Sequence, residues 1–157
     1  APIHWGKCLN DLSILESQDL NIADSYKVLN IKREYRDFAF ILLNSSLFFF
    51  YWIVFSDCYN LTKKYFQINI PTSIDANKCK VLAEALNYDL FEKMVVAEYT
   101  YKNKGTVRFA QFFPKQSKTI IDKIDQLLAK HYNFTDEEQD FIINYDIKYR
   151  MGDELNE

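Results

Sequence analysis

The segment LLNSSLFFFYWIVFSDCYNLTKKYF, residues 42 to 66, decides the fold of this chain. Residues 47 to 55 form an unbroken run of nine apolar side chains, and polar and basic residues follow at once. Such a run is found in a membrane span, in a core helix or along one side of a binding surface. A spanning helix needs about 20 apolar residues, but Asn44-Ser-Ser46 interrupts the apolar stretch 38 to 55. We therefore expect a buried helix and no membrane partner.

Length and composition indicate one folded domain. The chain has 157 residues, of which 48% are hydrophobic and 17% aromatic, so it can bury a core and should not be disordered. Its three cysteines are widely spaced and form no CxxC pair. This predicts reduced thiols in a cytoplasmic protein. Because the two histidines are also far apart, no metal site is expected.

The N-terminal half is expected to be mostly helical. Residues 1 to 25 are polar and weakly patterned, which indicates a peripheral arm. Residues 33 to 55 predict one long buried helix. The alternating residues 65 to 71 end at a proline and predict a short strand. Residues 74 to 97 predict another helix, capped near Asp75 and broken around Asn87.

The C-terminal half predicts a hairpin followed by two helices. Residues 98 to 102 and 106 to 113 flank Asn103-Lys-Gly105, a turn in which Gly105 can take positive φ. Ser117 can cap an amphipathic helix, residues 118 to 131. Thr135-Asp-Glu-Glu138 is a capping box for a last helix, which should run to about residue 149. These elements predict a single α+β domain with a long buried helix, a small antiparallel hairpin and two C-terminal helices.

Charge is distributed unevenly along the chain. The net charge is −3, yet residues 99 to 121 contain five basic residues and no acidic one, whereas residues 136 to 157 are strongly acidic. Basic and aromatic residues alternate on the hairpin, and polar types that bind phosphates and base edges follow the apolar run. The candidate DNA-binding residues are Tyr59, Asn60, Lys63, Lys64, Tyr101, Lys102, Lys104, Arg108, Lys115 and Lys118. The alternative for the hairpin is a solvated edge on which lysines oppose aggregation.

Motifs for enzymatic chemistry are missing from the sequence. The three glycines stand at 6, 105 and 152, too far apart for a dinucleotide-binding or phosphate-binding loop. No GxSxG or HExxH occurs. Asp146-Ile-Lys148 has the D-x-K spacing of some nuclease metal sites, but it lies in a predicted helix and is better explained as a solvated face. No catalytic residue or cofactor is therefore assigned to this chain.

Three stretches resemble the C-terminal part of adenine-specific DNA methyltransferases. They are LLNSSLFFFYWIVFSDCYNLTK at 42 to 63, SKTIIDKIDQLLAKHYNFT at 117 to 135, and DEEQDFIINYDIKYRMG at 136 to 152. The likeness is greatest to fused type II restriction–modification enzymes that have a TaqI-type specificity domain. It covers about residues 26 to 152, and the last two stretches carry it most specifically.

The resemblance implies a target-recognition domain that grips duplex DNA and reads its sequence. In the family, a separate N-terminal domain binds S-adenosylmethionine through a glycine motif and methylates a flipped adenine at an Asn-Pro-Pro-Tyr-type motif. Neither motif is present here, so no catalytic residue is carried over. The implied organisation is an arm at 1–25, a recognition domain at 26–152 and an acidic tail at 153–157. The implied partners are DNA and the methyltransferase domain of the parent enzyme, with or without an attached endonuclease.

Two alternatives stay open at this point. In the first, the chain is a protein-interaction or scaffolding domain without DNA affinity, and its C-terminal helices and exposed aromatic residues form the interface. In the second, it is a membrane-associated module that uses residues 38 to 55.

Overall fold

Helices dominate the chain and one antiparallel pair of strands completes it, so the predicted α+β class is confirmed. The computed structural model describes residues 13–22, 29–57, 62–66, 74–103 and 105–145. In this part of the chain the elements are α1 (Ser13–Ser17), α2 (Arg36–Leu43), α3 (Ser46–Phe55), α4 (Ala76–Glu92), β1 (Val95–Tyr101), β2 (Gly105–Gln111), α5 (Lys118–Tyr132) and α6 (Asp136–Asn144). Three 3₁₀ turns lie at Arg33–Tyr35, Lys63–Phe66 and Pro114–Ser117. They form a single domain.

A polar corner, defined as Asn44, Ser45 and Ser46, separates α2 from α3. The expected single helix from 33 to 55 is therefore wrong: its two halves meet at a bend of 75°. Ser45 takes an extended backbone conformation, with φ −84° and ψ 162°, and its side chain accepts a hydrogen bond from the Phe48 N–H at 3.1 Å. The residues that interrupt the apolar run thus end one helix and cap the next.

The polar groups of this corner are buried and paired. Ser45 Oγ also donates to the Leu42 carbonyl at 2.6 Å, and Asn44 Nδ2 donates to the Phe40 carbonyl at 2.8 Å. Asp125, a buried residue of α5, accepts a hydrogen bond at Oδ1 from the Ser46 N–H at 2.8 Å. The start of α3 is therefore satisfied by its own cap and by a carboxylate from a distant part of the chain, as a buried helix end requires.

The core lies where α2, α4 and α5 meet. Its side chains are apolar and come from almost every part of the described chain. They are Leu15, Leu20, Phe38, Phe40, Ile41, Leu42, Cys79, Ala83, Leu86, Leu90, Phe112, Ile121, Ile124 and Leu128. The apolar run in α3 is only partly buried: Phe48, Phe49 and Trp52 are enclosed, whereas Val54 and Phe55 are exposed. One side of α3 is thus buried and the other is not, so the helix is not wholly enclosed.

Part of the predicted N-terminal arm belongs to this core. Leu15 of α1 and Leu20, just after it, are buried. Between them Asp19 turns the chain with a positive φ of 55°. The expectation of a peripheral segment is therefore wrong for residues 13 to 22, because two well-spaced leucines anchor a segment that is otherwise polar.

Helix α4 begins as predicted but ends earlier than predicted. The Asp75 side chain caps it by accepting from the Lys78 N–H at 3.1 Å. The helix runs without a break through Asn87 to Glu92, and β1 starts at Val95, inside the predicted helix. The predicted strand at 65 to 71 is also wrong where the structure describes it, since Tyr65 and Phe66 lie in a 3₁₀ turn. Residues 67 to 71 lie outside the described residues.

The two C-terminal helices form as predicted. Ile121, Ile124 and Leu128 give α5 a buried face. Thr135 and Glu138 form the capping box of α6, with the Glu138 N–H donating to Thr135 Oγ1 at 3.2 Å and the Thr135 N–H to Glu138 Oε2 at 2.9 Å. Helix α6 ends at Asn144, and the predicted extension beyond residue 145 lies outside the described part of the chain.

Within the described ranges, no single helix has both the length and the apolar character needed to cross a membrane. Residues 33–43 and 46–55 meet these criteria only when taken together, as a pair bent at the polar corner.

Candidate nucleic-acid interface

The candidate interface is built on the hairpin formed by β1 and β2. The two strands pair antiparallel, from Val95 opposite Gln111 to Tyr101 opposite Gly105. Their valine, threonine and aromatic side chains favour extended backbone. Gly105 has a φ of +73°, in the left-handed region that a short hairpin loop requires, so the predicted turn is confirmed. At the base, β1 begins earlier than predicted, because Val95 and Val96 belong to it, and β2 ends at Gln111, two residues before its predicted end at Phe113.

A residue of the N-terminal segment holds the outer edge of β2. The Asn21 N–H donates to the Arg108 carbonyl at 2.6 Å, and the Arg108 N–H donates to Asn21 Oδ1 at 2.8 Å. Both backbone groups of Arg108 therefore point away from β1. At the base, Phe112 is buried and its ring meets that of Phe91 edge-on at 5.4 Å. The hairpin is thus fixed at its base and on one side.

The two faces of the hairpin differ in chemistry. One face carries Arg108 and Glu98, directly opposite each other, with Arg108 Nε 3.3 Å from Glu98 Oε1. The other face is uncharged and aromatic: the Tyr99 and Phe109 rings are 6.2 Å apart, and Gln111 Nε2 donates to the Tyr99 hydroxyl at 2.7 Å. The expected mixture of charge and aromatic groups is therefore sorted by strand alternation into one charged and one aromatic face.

The lysines of the predicted basic strip lie at opposite ends of the hairpin. Lys102 is exposed at the tip, next to the half-exposed Tyr101, and makes no ion pair with any residue that the structure describes. Lys115 and Lys118 follow the base. At about 3.4 Å per residue, tip and base are about 20 Å apart. Lys104, the second lysine of the tip, lies outside the described residues.

Two basic residues near the base, Lys93 and Lys118, are engaged by carboxylates. Lys118 Nζ lies 2.7 and 2.8 Å from the two carboxylate oxygens of Asp122. Lys93 Nζ bonds Asp89 and also the Gln116 carbonyl at 2.7 Å, while Ser117 Oγ donates to Asp89 Oδ2 at 2.6 Å. Ser117 thus ties the turn before α5 to α4 and makes no capping hydrogen bond to α5, contrary to prediction. The charges of Lys93 and Lys118 at the base therefore mainly stabilise the fold.

Asp89 is the titrating group of this network. Burial alone would raise the pKa of its carboxyl, but hydrogen bonds from Lys93 and Ser117, and the charge of Lys93, outweigh burial and lower the pKa below its ordinary 3.8. The carboxylate therefore stays ionised at neutral pH and holds the turn that follows the hairpin.

The second predicted surface, after the apolar run, is described only in part. Tyr59 and Asn60 lie outside the described residues, and of Lys63 only the backbone is described. The Lys64 ammonium lies 4.7 Å from the centre of the Tyr65 ring. Hydrogen bonding and charge interaction with Tyr65 raise the pKa of Lys64. Lys64 is thus an exposed cation held against an aromatic ring.

An aromatic patch on α3 and α6 contains none of the predicted DNA-binding residues. We define it as Phe50, Phe141 and Tyr145. The Phe50 ring lies 5.6 Å from that of Phe141 and 5.0 Å from that of Tyr145. Phe141 is 57% exposed, which is high for an aromatic side chain. The alternative interface of C-terminal helices and exposed aromatic residues points to α6, but not to its contact with Phe50 of α3.

The described residues contain no group of three or more His, Cys, Asp or Glu side chains that could hold a metal ion. What the hairpin offers chemically is a projecting two-stranded ribbon with a cationic tip and hydroxyl, amide and aromatic side chains along it. Comparisons of the chain with protein-family models, with curated proteins and with solved structures find no match.

Proposed function

We propose that this chain is the target-recognition domain of an adenine-specific DNA methyltransferase or fused restriction–modification enzyme, and that it reads duplex DNA with its hairpin. The observation that carries the proposal is the charge of the hairpin. Residues 95 to 111 contain Lys102, Lys104 and Arg108 against the single acidic residue Glu98, on a chain whose net charge is −3. A locally positive ribbon on an acidic protein is suited to a polyanion.

The shape of the hairpin supports the same partner. A two-stranded ribbon fits the major groove of B-DNA, which is about 12 Å wide. The strands reach about 20 Å from the base, so the tip can enter a groove while the helical body stays beside the backbone. Lys102 at the tip is suited to phosphate or guanine contact, and Tyr101 and Thr100 are exposed beside it.

The remaining partners and the setting follow from the same proposal. The chemistry would be done by a methyltransferase domain of the parent enzyme that binds S-adenosylmethionine, since no catalytic or cofactor-binding residue is assigned to this chain. Such an enzyme acts on DNA in the cytoplasm.

Fluorescence anisotropy with a labelled duplex tests the proposal. We expect binding at low salt that weakens steeply between about 50 and about 200 mM salt, because each phosphate contact releases counterions. The double variant Lys102→Ala/Lys104→Ala should bind more weakly. It should also lower the slope of log affinity against log salt by about 2, at about 0.9 per phosphate contact.

The matched control is Lys80→Ala/Lys123→Ala, which removes the same charge from the exposed sides of α4 and α5. We expect it to leave affinity and salt slope close to those of the unmodified chain. Equal losses in the two double variants would refute the placement of the interface at the hairpin tip. Lys118→Ala should have a small effect, because its ammonium is already paired with Asp122.

The alternative function, a protein-interaction domain without DNA affinity, is favoured by one observation. The aromatic patch joins Phe50 of α3 to the largely exposed Phe141 of α6, and its uncharged side chains are suited to a protein and not to a phosphate backbone. The anisotropy measurement separates the two functions: a folded chain that binds no duplex even at low salt favours the alternative.

A further inference from the structure

The two edges of the hairpin are not equivalent. Because Asn21 takes both backbone groups of Arg108, the opposed residues Glu98 and Arg108 form a non-hydrogen-bonded pair. The backbone N–H and C=O of Glu98 then point outward from β1. By the alternation of an antiparallel ladder, those of Val96 and Thr100 do the same. The 3.3 Å approach of Thr100 Oγ1 to Thr106 Oγ1 fits this assignment, since side chains are closest in non-hydrogen-bonded pairs.

The outer edge of β1 is open along its length. None of the outward backbone groups of Val96, Glu98 and Thr100 bonds to a residue that the structure describes. The side chains along this strand are also exposed: Val95 by 52%, Val96 by 37%, Tyr99 by 43% and Tyr101 by 51%. Proteins usually protect such an edge with a charge, a proline or a covering segment. The one charge on β1, Glu98, is paired within the hairpin with Arg108.

We infer that this edge pairs antiparallel with β1 of a second copy of the chain, across a two-fold axis at Tyr99. In this register Glu98 of each copy exchanges backbone hydrogen bonds with Thr100 of the other, because both residues present outward groups. Ala97 faces Tyr101 of the other copy, which pairs a small side chain with a large one. The two hairpins then form one four-stranded sheet, and each chain contributes the same surface.

Charge and the length of the paired strand together favour this register over its neighbours. A two-fold axis at Glu98 would place two carboxylates directly opposite each other, which is destabilising. An axis at Ala97 would place Glu98 opposite Val96, with no basic residue near it. An axis at Thr100 would place Glu98 directly opposite Lys102, but it would pair only residues 99 to 101 of β1. With the axis at Tyr99, residues 97 to 101 of β1 pair, and Glu98 lies diagonal to Lys102 of the second copy, within reach of a long side chain, as well as to Glu98 of that copy. Glu98 of β1 and Lys102, which follows β1, thus supply both charges of the intermolecular ion pair. The inference does not depend on DNA binding.

Light scattering over a concentration series tests the inference. The mass should rise from 18.7 kDa toward twice that value as the protein is concentrated. Thr100→Pro removes an outward N–H from the open edge, a position at which an edge strand tolerates proline, and it should keep the chain monomeric. Thr106→Pro is the matched control: it alters the residue directly opposite, on the edge of β2, and should dimerise like the unmodified chain. Thermal unfolding checks that both variants fold.

Disulfide trapping tests the register. Tyr99→Cys places a thiol on the two-fold axis, where the Cα–Cα distance of about 4.5 Å in a non-hydrogen-bonded pair suits a disulfide. Under mild oxidation the introduced thiols of two copies should form an intermolecular disulfide, mapped by mass spectrometry because the chain has three other cysteines. Tyr101→Cys faces Ala97 and should crosslink much more slowly.

Four results would overturn the inference. They are a monomer at every concentration, a dimer that survives Thr100→Pro, equal loss of dimer in Thr100→Pro and Thr106→Pro, and crosslinking of the Tyr101→Cys variant as fast as that of Tyr99→Cys. A dimer that survives Thr100→Pro and is lost in Phe141→Ser would place the interface on the aromatic patch instead.

Discussion

The polar corner and the hairpin use polar and apolar residues in opposite ways. At the corner, Ser45 and Ser46 are fully enclosed, and their polar groups are hydrogen-bonded. On the hairpin, valines and tyrosines are about half exposed, and one strand edge is open. Residue type alone therefore does not determine burial in this molecule. Burial depends on whether the backbone N–H and C=O groups at that point find hydrogen-bond partners inside the protein. It also depends on whether the segment packs on the helical body.

The largest expected effect is at the corner, at Asp125. Asp125→Ala removes the carboxylate that accepts from the Ser46 N–H and leaves that buried donor without its partner. We expect a loss of about 1.5 to 3 kcal/mol in the free energy of unfolding, the usual range for a hydrogen bond to a charged group. Urea unfolding followed by circular dichroism measures it.

Asp125→Asn is the control for that substitution, because its amide oxygen can still accept from Ser46. It should lose about 1 kcal/mol, the part that comes from the charge at the helix start. Equal losses for Asn and Ala would mean that the carboxylate does not support α3 through this hydrogen bond.

A smaller effect is expected at the base of the hairpin, where Asp89 accepts a hydrogen bond from Ser117. The pKa of Asp89 is lowered in the folded chain relative to an ordinary value of 3.8, so its contribution to stability is complete above about pH 5. It is lost as the pH falls through 3.8 and then through the lowered folded pKa. Acid titration of the unfolding free energy should therefore show a steeper loss for the unmodified chain than for Asp89→Asn.

Ser117→Ala measures the contribution of the Ser117 hydroxyl apart from that of the Asp89 charge at the base of the hairpin. It removes the hydrogen bond to Asp89 Oδ2 and should cost about 1 kcal/mol at neutral pH. It should retain most of the acid sensitivity, because Lys93 still lowers the pKa of Asp89. If Asp89→Asn loses stability in acid as steeply as the unmodified chain, Asp89 is not the group that makes the fold sensitive to acid.

The smallest effect is expected along the open edge of the hairpin. Val95→Thr and Tyr101→Thr keep β-favouring residues and remove only exposed apolar surface. Each should change the unfolding free energy of the monomer by less than about 0.5 kcal/mol, as is usual for surface positions. Thermal unfolding at low protein concentration measures this. A loss near that of Asp125→Ala would mean that the hairpin is packed and not open.

Local signals predicted much of the fold. The capping box at Thr135, the cap at Asp75 and the turn at Gly105 each rest on a few neighbouring residues, and each forms as predicted. At the polar corner the sequence predicts a single helix, whereas α2 ends there and α3 begins. The stability of this corner depends on Asp125, far away in the chain, and no local pattern contains that partner.

The candidate site was less predictable than the fold. The basic residues of the hairpin are visible in the sequence, but the pairing of Arg108 with Glu98 and of Lys118 with Asp122 depends on register and helix spacing. Asn21 on the edge of β2 could not be predicted, because nothing near it in sequence indicates a strand partner. The helix predicted over 74 to 97 includes Val95 and Val96, so the length of the open edge could not be predicted.

The hydrogen bond between Asp125 and Ser46 also has a consequence for synthesis. The two residues are 79 positions apart, so α3 lacks this support until much of the chain has been made. At about 5 to 20 residues per second, translation of that interval takes roughly 4 to 16 s. During those seconds the most apolar run of the nascent chain has no finished core to enter. It is the segment that a chaperone acting at the ribosome would be expected to hold.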